Sequence, residues 1–364
     1  MPPDAGPVQA QRFAAQLLSG PPGRSPIAVA ERLLAIQGQD GRGARLSVRS
    51  RTSGLTAADV DRALTADRTL VITWLNRGTL HLVASEDYWW LHPLTARPQL
   101  QVGCQRVLAR LGVSAQDADR GVELVERALA DGPLVRTEIA ERLIAAGLPG
   151  DGGVALHVLM LASLRGSAVR GPVVGAHHAY VLARDWLGPP PRPLDPDVAL
   201  ARLARRYLAG HGPASDRDLA KWAGLPLGQA RRGLAAIAAE LADRSDGLAD
   251  LATSARGDVS PPPARLLGPY DPVLLGWASR EPILRGHAGI VTVNGLFRPF
   301  ALVAGEAAGI WAYTGGQVQL RLFGALPDDA AAALAAEARD VQRFLAGSTN
   351  TGSEQVGQDP DEVA

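Results

Sequence analysis

One lysine, one cysteine and no long apolar run set the first limits on this 364-residue chain. With Cys104 alone, internal disulfides and cysteine-rich zinc or iron–sulfur sites are excluded, and Cys104 reads as a small buried residue. Lys221 is the only lysine among 37 basic residues, so side-chain amines for Schiff-base chemistry are almost absent. No stretch of about 18 consecutive apolar residues occurs. The opening MPPDAGPVQAQRF lacks the basic-then-apolar order of a secretory signal, and the expectation is a cytoplasmic protein without a membrane partner. Motifs are missing too: there is no HxE with PCxxC, no GxxxxGK[ST], no HExxH and no GxSxG, so the common zinc, nucleotide and serine-hydrolase chemistries lose ground. The adjacent His177 and His178 point to opposite faces of any strand and make a poor metal grip. No cofactor or metal is expected.

What is present is arginine. The formal net charge is zero, but Glu354, Asp359, Asp361 and Glu362 lie in a tail with no basic residue, so residues 1–346 carry +4. Arginine suits phosphate because its planar fork meets two oxygens at once. A hydrophobic share of 46% and this length allow two or three sizeable cores.

The chain reads as a series of small modules. SPIAVAERLLAIQ has one apolar face, and Gly38 is a natural stop, which predicts a helix ending at the Gln37-Gly38-Gln39 step. LTAADVDRALTAD predicts a second helix capped by Thr56, with Asp59 three residues on. TLVITWLNRGTLHLV flanks Asn76, Arg77 and Gly78 as a hairpin, and DYWWLHPL begins another helix. Helix, helix, hairpin is the order of a winged helix. LADGPLVRTEIAERL and LAGHGPASDRDLAKWAGL resemble each other, each opening a helix-turn-helix. VALHVLMLASLRG is then a candidate recognition helix, followed by a wing in SAVRGPVVGAHHAYVLARDWLG. LGQARRGLAAIAAEL, with Arg231 and Arg232, is the equivalent of that helix in the later copy. Pro-rich LGPPPRPLDPD and SPPPAR separate the units, an antiparallel meander follows with turns at Asn-Gly, Gly-Glu and Gly-Gly, and DDAAAALAAEARDVQRFL is the last helix. The expected fold class is α+β: three tandem winged-helix modules with a C-terminal antiparallel β meander around an open, C-shaped cleft. The expected boundaries are 1–100, 101–190 and 191–260 for the three winged helices, 261–346 for the β region and final helix, and 347–364 for a disordered acidic tail.

Several residues are candidates for chemistry. Gln37 and Gln39 would diverge on a continuous helix, but a helix ending at Gly38 can turn both carboxamides toward one water. Spacing alone favours the plainer reading, two polar residues at a helix C-terminus. Arg42, Arg45, Arg49 and Arg51 follow with no acid between Asp40 and Asp59; they are either a phosphate-binding stripe or a solvated loop. Arg77, Thr79 and His81 alternate on the hairpin and either approach DNA or, for His81, satisfy a buried hydrogen bond.

The stretches LLAIQGQD, TWLNRGTLHLVASEDYWWL, LLGPYDPVLLGW and GLFRPFALVAGEAAGIW together resemble the winged-helix family of alkylpurine and crosslink DNA glycosylases, over about residues 10 to 325. The resemblance implies that Gln37 and Gln39 form a Gln-x-Gln motif that positions a hydrolytic water; some members carry Gln-x-Asp, and here Asp40 stands beside the pair. It implies a monofunctional glycosylase that releases N7-alkylguanines from double-stranded DNA, including those that tether both strands, in DNA repair or antibiotic self-resistance. It also implies a hairpin that probes the duplex, with Asn294-Gly295 and Arg298 as one candidate. The expected partner is therefore lesion-bearing or crosslinked duplex DNA, bound by a monomer associated with the nucleoid. Tyr270, Asp271 and Pro272 read as a structural turn, with Asp271 capping a neighbouring backbone. With Lys221 the sole lysine, water is the expected nucleophile and no β-lyase activity is expected. Two alternatives stand beside this reading: a winged-helix transcription regulator, poorly served by three non-identical modules, and a protein that only sequesters a drug.

Overall fold

The structure, a computed structural model, describes residues 6–150, 152–175, 177–254 and 261–346, so the acidic tail lies outside the described residues. From the N-terminus come α1 (Pro7–Ala15), α2 (Pro26–Leu33), the two-residue strand β1 (Ile36–Gln37), α3 (Gly41–Arg49) and α4 (Ala57–Thr65). A hairpin of β2 (Leu70–Trp74) and β3 (Leu80–Ala84) leads into α5 (Tyr88–Thr95), α6 (Pro98–Arg110), α7 (Ala115–Ala130), α8 (Arg136–Ala145) and α9 (Gly152–Leu164). Then follow β4 (Ala168–Val174), β5 (His177–Leu182), α10 (Ala183–Leu187), α11 (Pro196–His211), α12 (Asp216–Ala223) and α13 (Leu227–Ala236). The last part holds β6 (Arg265–Leu267), the single turns α14 (Pro272–Leu275) and α15 (Glu281–Leu284), β7 (Phe300–Val303), β8 (Glu306–Thr314), β9 (Gln317–Leu322) and α16 (Asp328–Leu345).

This mixed α/β chain divides into two compact units, Met1–Val60 with Pro196–Ala364, and Asp61–Asp195. In the second unit β2 pairs antiparallel with β3 and with β4, and β4 with β5. The α9 helix packs beneath them: Val154, Val158, Leu159, Leu161 and Leu164 are all buried. That burial corrects the reading of VALHVLMLASLRG as a recognition helix. Apolar residues ring α9 almost continuously, which suits a core element, and leaves no polar face to read bases.

The first unit holds a four-stranded antiparallel sheet in the order β6-β7-β8-β9, matching the expected meander. The Gly315-Gly316 turn joins β8 to β9 with both glycines at positive φ. The Asn294-Gly295 turn closes only an isolated bridge between Val291 and Phe297. In the same unit α12 begins where the sequence places it: Ser215 Oγ accepts from Asp218 N–H at 3.2 Å, and Asp218 Oδ2 accepts from Ser215 N–H at 2.8 Å. Gly224, at φ 68, ends α12 in the left-handed region and turns the chain into α13. On α13, Arg231 and Arg232 are exposed, and pair with Asp216 at 2.7 Å and with Asp197.

Aromatic packing fills the centre of the first unit. Tyr207, His211 and Trp222 are mutually in contact, and Trp277 packs edge-on against His211, which is fully buried. Burial holds the His211 imidazole neutral, with its pKa lowered to about 3, and burial does the same to His81 in the second unit, also to about 3. In the unfolded chain both would protonate near the ordinary histidine value of about 6.5. Since the folded values are depressed, stability is full above about pH 6.5 and falls as the pH drops toward 3, by about 1 kcal/mol per pH unit for each histidine. Carboxylates held low by arginine, such as Asp246 at about 2, act only below this window's upper part. Urea midpoints should thus fall steadily from pH 7 to about 4.5. A level profile there would contradict the buried neutral histidines.

Candidate functional site

The Gln37-Gly38-Gln39 step lies between α2 and α3, not at a helix end. The α2 helix starts on Ser25, whose Oγ accepts from Ala28 N–H at 3.3 Å, and stops at Leu33. Leu34 adopts φ 63, a conformation costly for a branched side chain, and redirects the chain into the extended β1. The expected stop at Gly38 is therefore corrected: the turn comes four residues earlier, at a leucine. Gln37 is the last residue of β1, and the chain bends at Gln39 before α3 begins, so the step is strand end followed by bend and not a helix terminus. Gln37 is buried and Gln39 half-buried. Asp40 then caps α3, with Oδ1 accepting from Gly43 N–H at 2.6 Å, so its carboxylate serves the helix N-terminus.

The segment expected to be a phosphate-binding stripe or a solvated loop is α3 from Arg42 to Arg49, with Arg51 just past its end. Arg45, Arg49 and Arg51 are 3%, 3% and 1% exposed. Arg49 donates to Asp340 Oδ2 at 2.9 Å, Glu337 Oε2 at 2.7 Å and Leu266 O at 3.0 Å. Arg51 grips Asp271 with both terminal nitrogens at 2.9 and 2.8 Å, and donates to Gln16 O and Ser47 O at 2.9 and 3.0 Å. These two guanidiniums hold the unit together and leave no face for a phosphate, a correction to the stripe. Arg45 donates to Gly41 O at 2.7 Å, one turn back on its own helix. Arg42 is half-buried, with its guanidinium 5.7 Å from the centre of the Tyr313 ring. Asp271 does cap the backbone, accepting from Val273 N–H at 3.0 Å, but its larger role as the counterion of Arg51 lay 220 residues away in the sequence.

Close approach fixes α3 from the other side. A Cβ on Gly43 would sit 2.5 Å from Pro269 O and 2.9 Å from its Cγ. Gly43→Ala is expected to cost about 1–3 kcal/mol, because backbone must move to admit it. Thermal unfolding checks this; a wild-type melting temperature would mean that α3 shifts freely.

The other candidates scatter. His81 is 2% exposed and its Nδ1–H donates to Thr79 O at 2.9 Å, the buried-hydrogen-bond outcome. Arg77 is half-buried at the β2–β3 turn, and Arg298 is exposed beside the Asn294-Gly295 turn. Lys221 Nζ donates to Ala278 O at 3.0 Å on the surface. Cys104 is buried, with Sγ 3.1 Å from His157 O. Among the described residues no three histidine, cysteine or acidic side chains are gathered as metal ligands, and no helix is long and apolar enough to cross a membrane.

Comparison with known proteins gives a consistent result. The family profile described as DNA glycosylase AlkZ-like matches residues 30–344. The interstrand DNA cross-link repair glycosylase of Streptomyces sahachiroi is 25% identical over 340 residues, covering 84% of this chain and 86% of that protein. The solved structure of the Streptomyces sahachiroi DNA glycosylase AlkZ superimposes with a TM-score of 0.75 at 25% identity, over 94% of this chain and 97% of that one. A match across both units, including the Gln37-Gly38-Gln39 step and the Arg51–Asp271 pair, places the chain in the AlkZ-like DNA glycosylase family.

Proposed function

We propose that this protein is a monofunctional glycosylase that hydrolyses the N-glycosidic bond of N7-alkylguanine in double-stranded DNA, including guanines tethered to both strands. The observation that carries the reading is the Gln37-Gly38-Gln39 step at the end of β1, fixed between a Ser25-capped and an Asp40-capped helix, in a chain of this family. The Streptomyces sahachiroi relative is an interstrand DNA cross-link repair glycosylase, which supports the tethered substrate.

Alkylation at N7 places positive charge on the guanine ring. The C1′–N9 bond breaks with both electrons going to the purine, which leaves as a neutral base. Charge then builds on the sugar as an oxocarbenium-like state, and water adds at C1′ and loses its proton to solvent. Carboxamide oxygens of Gln37 and Gln39 accept hydrogen bonds from that water and face the sugar's positive charge. Glutamine is no base, and none is needed when the leaving group is already activated. Lys221 is the only side-chain amine, so the product is an abasic site without a nick.

Three tandem winged helices and a monomer complete the reading. Arg42, Arg77, Arg231, Arg232 and Arg298 supply the phosphate contacts. The surface pairs of Arg231 and Arg232 with Asp216 and Asp197 are worth little in water, so exchange for phosphate oxygens is inexpensive. The test is incubation with a duplex containing 7-methylguanine and with an N7-linked crosslink, scoring free base and alkali-labile sites. Nanomolar binding to one operator sequence with no base release would sink the reading in favour of a regulator.

A further inference from the structure

The β2–β3 hairpin of the second unit carries polar side chains that its own fold does not use. Asn76 is fully buried, and neither Nδ2 nor Oδ1 meets a hydrogen-bond partner among the described residues. Thr73 is fully buried with Oγ1 in the same condition, and it lies opposite His81 in the strand register. The His81 Nδ1–H is committed to Thr79 O, which leaves Nε2 as a lone-pair acceptor. The backbone of the same turn is fully stitched. Leu75 N–H donates to Thr79 O at 3.0 Å, Gly78 N–H to Leu75 O at 2.8 Å, and both Thr79 N–H and Oγ1 donate to Asn76 O at 3.3 and 3.2 Å.

The order of residues in this turn is also unfavourable. Arg77 and Gly78 both take positive φ, 59 and 76 degrees. Asparagine is the residue that tolerates such a position at least cost, yet it stands one place earlier and arginine occupies it. Two local rules are broken at one turn: a bulky side chain in the left-handed region, and a buried carboxamide without a partner. Departures of that kind concentrate at functional sites. Uncharged donors and acceptors without a nearby carboxylate among them suit a neutral hydrogen-bonding edge, not a phosphate or a cation. An asparagine carboxamide donates and accepts side by side, as the O6 and N1–H edge of guanine requires.

We infer that Asn76, with Thr73 beside it on the hairpin, is reserved for the hydrogen-bonding edge of the damaged purine and is paired only in the DNA-bound state. The inference rests on the glycosylase reading above and names the base-recognising residue within it. Both amide atoms are covered in the free protein, so the turn must open for the contact to form.

The physical signature is a trade between stability and recognition. An unpartnered buried amide contributes nothing to the free fold, so Asn76→Leu and Thr73→Val should leave the melting temperature unchanged or raise it. Asn76→Leu should lower the preference for 7-methylguanine duplex over undamaged duplex about tenfold or more, measured by fluorescence anisotropy at low temperature, and slow single-turnover base release in step. Thr73→Val should do the same to a lesser degree. The full-length protein is used throughout. An unchanged lesion preference overturns the inference at any melting temperature. So does a lowered melting temperature for both variants, which would mean that an internal partner, such as a buried water, holds these groups. If the wild-type protein releases no base, the glycosylase reading fails on its own, and the binding preference still decides the role of Asn76.

Discussion

Replacing Arg51 with methionine is expected to destabilise the protein by about 3–5 kcal/mol, the range found when one partner of a buried ion pair is removed. Both side chains of the Arg51–Asp271 pair are 0% exposed, and the pair is bidentate at 2.8 and 2.9 Å. Without the guanidinium, the Asp271 carboxylate stays buried with the Val273 N–H donating to it. The Gln16 carbonyl, just past the C-terminal end of α1, also loses the Arg51 donor, while the Ser47 carbonyl keeps Ser50 Oγ at 3.1 Å. Arg51→Lys keeps the charge but not the fork, and should fall between methionine and wild type. Removing both partners, as Arg51→Met with Asp271→Leu, should recover part of the loss and not all of it, since the Gln16 carbonyl and the Val273 N–H each lose a partner. Urea unfolding measures each step, with added salt changing the result little because the pair is shielded from solvent. A loss under about 1 kcal/mol for Arg51→Met would mean that the pair is not what joins these segments. The same variants carry a functional consequence. At temperatures where they stay folded, their affinity for undamaged DNA should match wild type, because Arg51 offers nothing to a phosphate.

Arg45 and Arg49 on α3, and Arg51 just beyond it, escape the hydrophobic pattern for a physical reason. Hydrophobic periodicity locates helices by their apolar faces, and α3 buries arginine where a helix normally buries leucine. Two glycines in GRGARLSVR lowered its apparent propensity further, although Gly43 is there because Pro269 leaves no room for a Cβ. The Asp40 cap was visible in principle, three residues before the Gly43 N–H it serves. Asp271, by contrast, cannot be matched with Arg51 by any local pattern. Elements whose signal is local did emerge: the Thr56–Asp59 start of α4, the β2–β3 turn, the capping box at Ser215 and the glycine turn after β8 all lie where residue chemistry puts them. The α2 terminus failed because Leu34 turns the chain at positive φ, a conformation that sequence assigns to Gly38. The glutamine step itself lies at the end of β1, with Gln37 in the strand and Gln39 in the bend that leads into α3. For α9, the sequence order of a winged helix suggested a reading helix, while its continuous apolar run already carried the opposite message.

Gln37→Ala and Gln39→Ala are each expected to slow single-turnover release of 7-methylguanine by about 100-fold, comparable to removing one fixed hydrogen-bonding group from a transition state. The two carboxamides act on one water, so deleting either lets the water leave the line of attack, and the double variant should be little worse than the single ones. Affinity for undamaged duplex should stay within about twofold, because neither glutamine is assigned to phosphate binding. The pH profile discriminates further. A carboxamide does not titrate, so the wild-type rate should be level from about pH 6.5 to 8.5, where the buried histidines leave the fold at full stability. A carboxylate or imidazole acting as general base would instead impose a fall below its own pKa. His81 is a poor source of such a fall, being neutral down to about pH 3. A release rate that is unchanged in both alanine variants would remove the glutamines from the chemistry. A rate that rises with a single pKa between 6.5 and 8.5 would show that a titrating residue, and not the carboxamide pair, activates the water.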